Sequence, residues 1–456
     1  MTRLRSRSNG LSGEPRGDTG APAVSTLKPR MNGSHSPLQD AGAKDRRRPL
    51  SRQRRRSRGL FQRWKDLSFR HTWINPLVIL LVVLSGYAID PTPSNPIHHA
   101  LFLSYALPRP AGADPSTPIQ YGKGGYDFAF VAFYIVLLSF TREFLMQIVI
   151  RPLAVACGIK GRAKQSRFME QMYTAMYFAI FGPLGLYVMS RTPVWYFNTT
   201  AFFLDFPHRT HEAVFKAYYL LQAAYWAQQA IVLMLMLEKP RKDFKELVLH
   251  HIITITLIWC SYRFHFTYMG LAVYITHDIS DFFLATSKSL NYVDSIFVGP
   301  YFIMFAGIWM YLRHWINWQI LWAVATEFRT VGPFELDWDT QQYKCWISQG
   351  LCAALLVSLQ AVNLFWLYLI AKIAKNYVFA NALADERSDG EEEDEEDRKA
   401  EGDGEGKDVH PNGHVGGDRD NGSARLKPGE SYADAVTMNG TAKGTVTVNG
   451  EAKKER

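Results

Sequence analysis

Long apolar stretches recur through the middle of the chain, and short polar loops separate them. A helix that crosses a bilayer needs about 20 mostly apolar residues, and eight stretches approach or exceed that length. This pattern predicts an all-α polytopic membrane protein with about eight transmembrane helices. The stretches cover approximately residues 73–89, 126–150, 171–190, 214–237, 249–266, 268–290, 297–322 and 347–374.

Charge is concentrated at the two ends of the chain. Residues 1–70 carry 18 Lys and Arg against 5 Asp and Glu, whereas residues 381–456 carry 11 against 20. Both segments are too polar to bury a core of their own, so we predict a basic and an acidic disordered tail. Between them we expect the first transmembrane helices and their loops over residues 71–163, and a second membrane domain over residues 164–380.

Basic residues in the short loops indicate how the helices cross the membrane. Lys and Arg accumulate on the cytosolic side, and with eight helices the basic loops near 151–167 and 239–245 lie there together with both termini. The Asn-Thr-Thr acceptor at Asn198 then lies on the luminal side, where glycosylation is predicted. The final Lys-Lys-Glu-Arg resembles a dilysine retrieval signal, which predicts the endoplasmic reticulum membrane.

Ionisable residues stand at both ends of the apolar segment 250–281. Such groups are costly in a bilayer and usually mark functional sites there. With about 100° of turn per residue, His250 and His251 share one face of their helix. His277, Asp278 and Asp281 share a face of the next helix. If the chain reverses near residues 263–270, the two groups lie ~18 and ~17 Å from the turn, at 1.5 Å per residue. We therefore predict one site built from two consecutive helices.

Two kinds of chemistry suit this set of side chains. A histidine beside a carboxylate can act as a general acid or base near neutral pH, and a histidine can also carry an acyl group transiently. Membrane di-iron centres need several HxxxH or HxxHH clusters, and the sequence has one isolated near-match, from His208 to His211. No metal site is therefore predicted. Nor is a disulfide framework, because no CxxC spacing occurs among the four cysteines.

The segment 250–292 resembles the signature of the ceramide synthases, the longevity-assurance family with a TLC domain, and is most similar to the fungal branch. A looser similarity extends over residues 164–380, which the resemblance identifies as a TLC catalytic membrane domain. The family fold implies six helices in a ring around a central lipid tunnel. The matching residues are His250, His251, Leu257, Ser261, Tyr262, His277, Asp278, Asp281 and Lys288.

The resemblance implies N-acylation of a sphingoid base, sphinganine or phytosphingosine, by a fatty acyl-CoA. The products are a ceramide and CoA, and acyl-CoA is a co-substrate rather than a permanently bound cofactor. Direct attack of the amine and a covalent acyl-histidine both remain open, with His251 favoured as the nucleophile. The implied catalytic residues are His250, His251, Asp278 and Asp281, with Ser261 and His277 in support.

Further candidate sites lie in one loop and in the tails. The CoA phosphates are expected at basic residues just before the motif, although these residues also fit a role in setting topology. Serines in R-x-R-x-x or acidic contexts suit protein kinases. The candidates are Lys239, Arg241, Lys242 and Lys245 for CoA, and Ser8, Ser51, Ser57 and Ser388 for phosphorylation.

The expected partners are the two substrates and membrane lipids. The family also allows a small single-span accessory subunit and a homo- or heterodimer, and we expect no nucleic acid. Two other functions remain open. One is a TLC-domain protein that binds or transports lipid without chemistry, and the other is a metal-dependent lipid hydroxylase that contains stoichiometric iron.

Overall fold

The computed structural model describes residues 60–112, 114–238 and 242–380. The chain divides after Trp64, and the helices that form the site belong to the part from Lys65 onward. Within the described ranges, helices make up nearly all of the regular structure. They are α1 (Leu60–Arg70), α2 (Ile74–Ile89), α3 (His98–Leu101), α4 (Tyr126–Phe144), α5 (Arg151–Ala156), α6 (Arg162–Ser190), α7 (Ala213–Met234), α8 (Phe244–Arg263), α9 (Thr267–Tyr292), α10 (Val298–Trp309), α11 (Asn317–Thr326) and α12 (Trp346–Ala380).

Two long helices contain a π-helical segment. Leu145–Ile150 joins α4 to α5, and Met310–Ile316 joins α10 to α11. Short π-helical insertions within α-helices are rare and occur frequently at functional sites. The only described strands, β1 (Gln120–Tyr121) and β2 (His211–Glu212), form one short antiparallel pair between loops.

Each apolar stretch predicted from the sequence coincides with a helix, or with a helix continued through a π-helical segment. The all-α polytopic membrane fold is therefore confirmed. The predicted boundary between the fifth and sixth stretches is also observed, because α8 ends at Arg263 and α9 begins at Thr267. Helix α6 begins at Arg162, earlier than the apolar stretch, and α12 continues to Ala380.

Length and composition alone select fewer spans than the eight predicted. In the described part of the chain, four helices are long and apolar enough to cross a membrane, and a fifth is added if α2 and the helix before it form one broken span. Helix α7 is not among them, and polar residues such as Lys216, Gln222 and Gln228 lower its mean hydropathy. Eight spans and a ring of six therefore stay predictions.

Helix α9 is the central element of the fold, and residues along its length are buried. It packs closely against α6 at Gly185, where an added Cβ would lie 3.0 Å from a side-chain carbon of Ile275. The chain turns tightly at residues 264–266, so that α8, which ends before the turn, and α9, which begins after it, run antiparallel. This hairpin fixes the depth at which polar residues of α8 face those of α9.

Several predictions fall outside the described residues. They concern the tails, the retrieval signal and part of the basic loop, so the division into four segments stays a prediction as well. The candidate residues concerned are Ser8, Ser51, Ser57, Lys239, Arg241 and Ser388.

Candidate active site

The α8–α9 hairpin brings the histidines of both helices together, as the helical periodicity predicted. The ring centroids of His250 and His277 are 6.4 Å apart, with 22° between the ring planes, and those of His250 and His251 are 5.8 Å apart. Indole rings from two other helices flank His250. The Trp226 ring of α7 lies 5.9 Å away and the Trp366 ring of α12 lies 5.0 Å away.

The hydrogen bonds of the histidine pair indicate what each ring can do. His251 Nδ1 lies 2.9 Å from the carbonyl oxygen of Leu247. A carbonyl only accepts, so Nδ1 carries the hydrogen and Nε2 carries the lone pair. His250 Nε2 lies 3.4 Å from the Thr254 hydroxyl. His250 Nδ1 is buried and has no hydrogen-bond partner among the described residues, so this nitrogen can bond to a substrate.

Two cavities adjoin at His250. The first, which we call the apolar chamber, is lined mostly by apolar side chains and extends toward the α8–α9 turn. The second, the polar chamber, is lined by charged as well as apolar side chains and extends toward the start of α8. His250 and Trp226 line both. Apolar-chamber walls include Leu257, Phe264, Met269, Val273, Leu355 and Leu359, and polar-chamber walls include Glu170, Gln229, Asp243, His251, Asp281 and Arg313.

The two candidate aspartates of α9 have different surroundings. Asp281 lines the polar chamber and pairs with Arg313. Asp278 is fully buried and accepts hydrogen bonds from Gln222 and, at 3.0 Å, from the Tyr218 hydroxyl, both on α7. It lines neither chamber. Asp281 is therefore placed to meet a substrate, whereas Asp278 joins α9 to α7 behind the site.

The chain is similar to known proteins both in its membrane domain and over most of its length. Residues 167–372 match the family model of the TLC domain. The chain is 50% identical over 329 residues to the sphingosine N-acyltransferase lac1 of Schizosaccharomyces pombe, covering 72% of this chain and 84% of that protein. The chain belongs to the fungal ceramide synthase family. The ceramide synthase LAG1 of Saccharomyces cerevisiae is 47% identical over 73% of this chain and 79% of its own length. A sphingosine N-acyltransferase-like protein, FUM17 of Gibberella moniliformis, is 49% identical over 80% of this chain and 93% of its own length.

Sequence reasoning missed several charged residues of the polar chamber in this ceramide synthase family member, and Arg313 is the most deeply buried of them. Arg313 lies in the π-helical segment between α10 and α11, is 1% exposed, and lines the polar chamber. An arginine inside the predicted stretch 297–322 is itself an intramembrane charge, and such charges usually mark a site. That signal was available from the sequence, but its partners were not, because they lie on other helices.

The remaining predicted residues take peripheral positions. Ser261 and His277 line the apolar chamber, and the Ser261 hydroxyl pairs with that of Tyr219. Lys242 and Lys245 are exposed at the start of α8, beside the mouth of the polar chamber. The described residues contain no group of three His, Cys, Asp or Glu side chains arranged to hold a metal ion. Asn198 lies exposed in a loop well apart in sequence from the site helices.

Proposed function

We propose that the protein is a ceramide synthase, which transfers a fatty acyl group from acyl-CoA to the amine of a sphingoid base. The observation that carries the proposal is the position of His250. A long acyl chain fits the apolar chamber, while a thioester and a polar head group fit the polar chamber, and His250 lies where the two meet. The identity of 47–50% to proteins named for this activity supports the same reaction.

The chemistry follows from the two histidines. His250 Nδ1 attacks the thioester carbonyl carbon, the carbon–sulfur bond breaks, and CoA leaves as the thiolate. The sphingoid amine then attacks the acyl-histidine, so that the amide bond forms and the bond to His250 breaks. His251 Nε2 accepts the proton of the amine, and this proton ends on CoA. The chambers thus favour His250 as the acyl acceptor over His251, the residue favoured from sequence, because His251 lines only the polar chamber.

Ceramide formation by the purified protein tests the proposal. We expect ceramide from sphinganine or phytosphingosine with at least one acyl-CoA, and a loss of at least ~1000-fold in His250→Ala, the order seen when a catalytic nucleophile is removed. Acyl-CoA alone should leave an acyl group on His250 in mass spectra. Ceramide production without any acylated histidine would instead indicate direct attack by the amine.

The same assay separates the alternatives. A lipid-binding protein without chemistry would bind sphingoid base and give no ceramide with any acyl length. A lipid hydroxylase would contain stoichiometric iron, which elemental analysis of the purified protein measures. Ceramide formation that survives both His250→Ala and His251→Ala would refute the site assignment while leaving the activity.

For CoA we propose the basic loop before α8. Lys242 and Lys245 are exposed beside Asp243 and Phe244, which line the polar chamber, and Lys239 and Arg241 precede them. Phosphates bound there would leave the pantetheine arm to reach His250 through the polar chamber. Replacing Lys242 and Lys245 by Gln should raise the KM for acyl-CoA and leave that for the sphingoid base unchanged.

We also propose that the protein lies in the endoplasmic reticulum membrane with both termini cytosolic and with Asn198 as a luminal glycosylation site. The basic residues of the short loops support this orientation. A glycosidase-sensitive mobility shift that Asn198→Gln abolishes would test this orientation. A single-span accessory subunit, a dimer and phosphorylation of the tail serines are further proposals, each testable on the protein purified from its native membrane.

A further inference from the structure

Arg313 lines the polar chamber and contacts residues of three helices, α9, α10 and α12. Its guanidinium donates from Nε to Ser280 Oγ at 2.6 Å, from Nη1 to Asn363 Oδ1 at 3.2 Å, and from Nη2 to the carboxylate of Asp281. Nη2 also lies 3.4 Å from the carbonyl oxygen of His277. The flat face of the guanidinium lies 4.1 Å from the ring centroid of Trp309. All three nitrogens of the group therefore donate hydrogen bonds.

The contacts of Arg313 determine the orientation of the Asn363 amide. Arginine only donates hydrogen bonds, so the Asn363 oxygen faces Arg313 and its NH2 group faces the other way. That NH2 lies 3.4 Å from His277 Nε2, which must therefore accept. His277 Nδ1 then carries the hydrogen and donates it to the carbonyl oxygen of Val273 at 2.8 Å.

His277 is consequently occupied at both nitrogens. One donates to a carbonyl and the other accepts from Asn363, and the residue is 4% exposed. A ring held in this way forms a fixed wall of the apolar chamber beside His250. Neither nitrogen of His277 is left for a substrate, in contrast to Nδ1 of His250.

Arg313 also fixes the position of the Asp281 carboxylate. One carboxylate oxygen pairs with Arg313, and the side chain keeps 18% of its surface exposed at the polar chamber. The carboxylate therefore faces the space through which the amine must approach His250. Without its arginine partner, a buried carboxylate would be free to turn or to take up a proton.

We propose that Arg313 is a positioning residue of the acyl-transfer site. It aims the Asp281 carboxylate at the incoming amine and, through Asn363, holds His277 as a neutral and immobile wall next to His250. The inference rests on the proposed ceramide synthase function. It predicts that the amine-transfer half of the reaction depends on Arg313 far more than the attack on the thioester does.

Arg313→Lys is the sharpest substitution. Lysine keeps the positive charge for Asp281 but cannot supply a planar fork with donors on three sides. We expect ceramide turnover to fall on the order of 100-fold, as for a misplacement of about 1 Å, with the KM for acyl-CoA unchanged. The release of one equivalent of CoA from acyl-CoA alone should persist. Arg329→Lys is the matched control, because Arg329 is exposed and its partner Gln349 lies outside both chambers.

A second variant isolates the part that acts through His277. Asn363→Leu keeps the pair of Arg313 with Asp281 but removes the hydrogen bond from Arg313 to Asn363 and, with it, the link to His277. We expect a loss of ceramide turnover of about tenfold. Size-exclusion profiles and thermal unfolding in detergent verify that each variant is folded.

The outcomes separate this inference from the function on which it rests. If the wild-type protein makes no ceramide, the proposed function fails. If it makes ceramide and Arg313→Lys slows CoA release and amide formation equally, or slows neither, Arg313 is only a structural link and the inference is overturned. Turnover in Asn363→Leu equal to wild type would overturn the link through His277.

Discussion

At the scale of single residues, neighbouring carboxylates on α9 divide their roles by the direction in which they point. Asp278 and Asp281 are three residues apart, yet one faces α7 and the other faces the polar chamber. Their identity as candidate site residues could be predicted from the sequence. The division could not, because it depends on which neighbouring helix each carboxylate meets.

This division predicts different defects for the two residues. Asp278→Asn weakens the pairing with Tyr218 and Gln222 inside the bundle, so the free energy of unfolding should fall by about 1–3 kcal/mol. Ceramide turnover per folded molecule should fall by less than about tenfold. Asp281→Asn should lower that turnover on the order of 100-fold. Turnover measured against the folded fraction decides, and equal losses would contradict the assignment.

A histidine cluster outside the spans predicts acid sensitivity. Burial lowers the pKa of His208 to about 4 and of His265 to about 3, and the Lys123 ammonium, 3.2 Å from His265 Nδ1, acts in the same direction. Both histidines are neutral in the folded protein, whereas the unfolded chain binds protons below pH 6.5. The contribution of these two histidines to the free energy of unfolding is therefore fully present above pH 6.5 and is lost as the pH is lowered toward 4.

The size of the effect can be measured. His208 alone should account for about 2 kcal/mol between pH 6.5 and 5, at 1.36 kcal/mol per unit of pKa difference. Thermal unfolding in detergent across this range provides the measurement. His208→Gln keeps a donor for the Leu204 carbonyl and should give a shallower dependence. An unchanged dependence would contradict a role for His208.

At the scale of elements, the site depends on how closely α6, α7 and α9 approach one another. The apolar stretches predicted the long helices that cross the bundle, and helical geometry predicted the depth at which α8 and α9 meet, because both are local properties of the chain. The contributions of Trp366 and Asn363 from α12 could not be predicted, since periodicity does not indicate which distant helix packs against the hairpin. For the same reason the partners of Arg313, which lie on α9 and α12, could not be predicted.

Gly185 provides a test of this close approach. An added Cβ would lie 2.5 Å from the Tyr218 hydroxyl and 3.0 Å from Ile275. Gly185→Ala should therefore destabilise the fold by about 1–3 kcal/mol, and it should lower ceramide turnover because Tyr218 holds Asp278. Gly307→Ala is the control. No atom lies within 4 Å of its added Cβ, so helix propensity should stabilise it by up to about 1 kcal/mol.

At the scale of the whole molecule, two chambers of different polarity meet at one side chain. The composition of the helices predicted a membrane fold, but the chambers are formed by side chains from helices far apart in sequence and emerge only in the folded chain. Helix α12 supplies one wall of the apolar chamber, including Leu355 and Leu359. The far part of that wall should limit the length of acyl chain that fits.

Cys352→Phe tests this limit. Cys352 lines the apolar chamber from α12, and the larger side chain of phenylalanine would reduce the space available to an acyl chain. We expect the ceramide products to shift toward shorter acyl chains in competition assays with mixed acyl-CoAs, analysed by mass spectrometry. Val357→Phe is the control, because Val357 is 56% exposed on the same helix. An unchanged product distribution in Cys352→Phe would indicate that the chain occupies another path.

The junction at His250 has a consequence for inhibitor design. The chambers lie on either side of one imidazole, so a single compound can occupy both if it carries a long alkyl tail and an amino-alcohol head on a short linker. Joining two weak ligands in this way raises affinity by roughly 100- to 10,000-fold when the linker matches the separation. Such a compound would need its linker to pass beside His250 and Trp226, the two side chains that line both chambers.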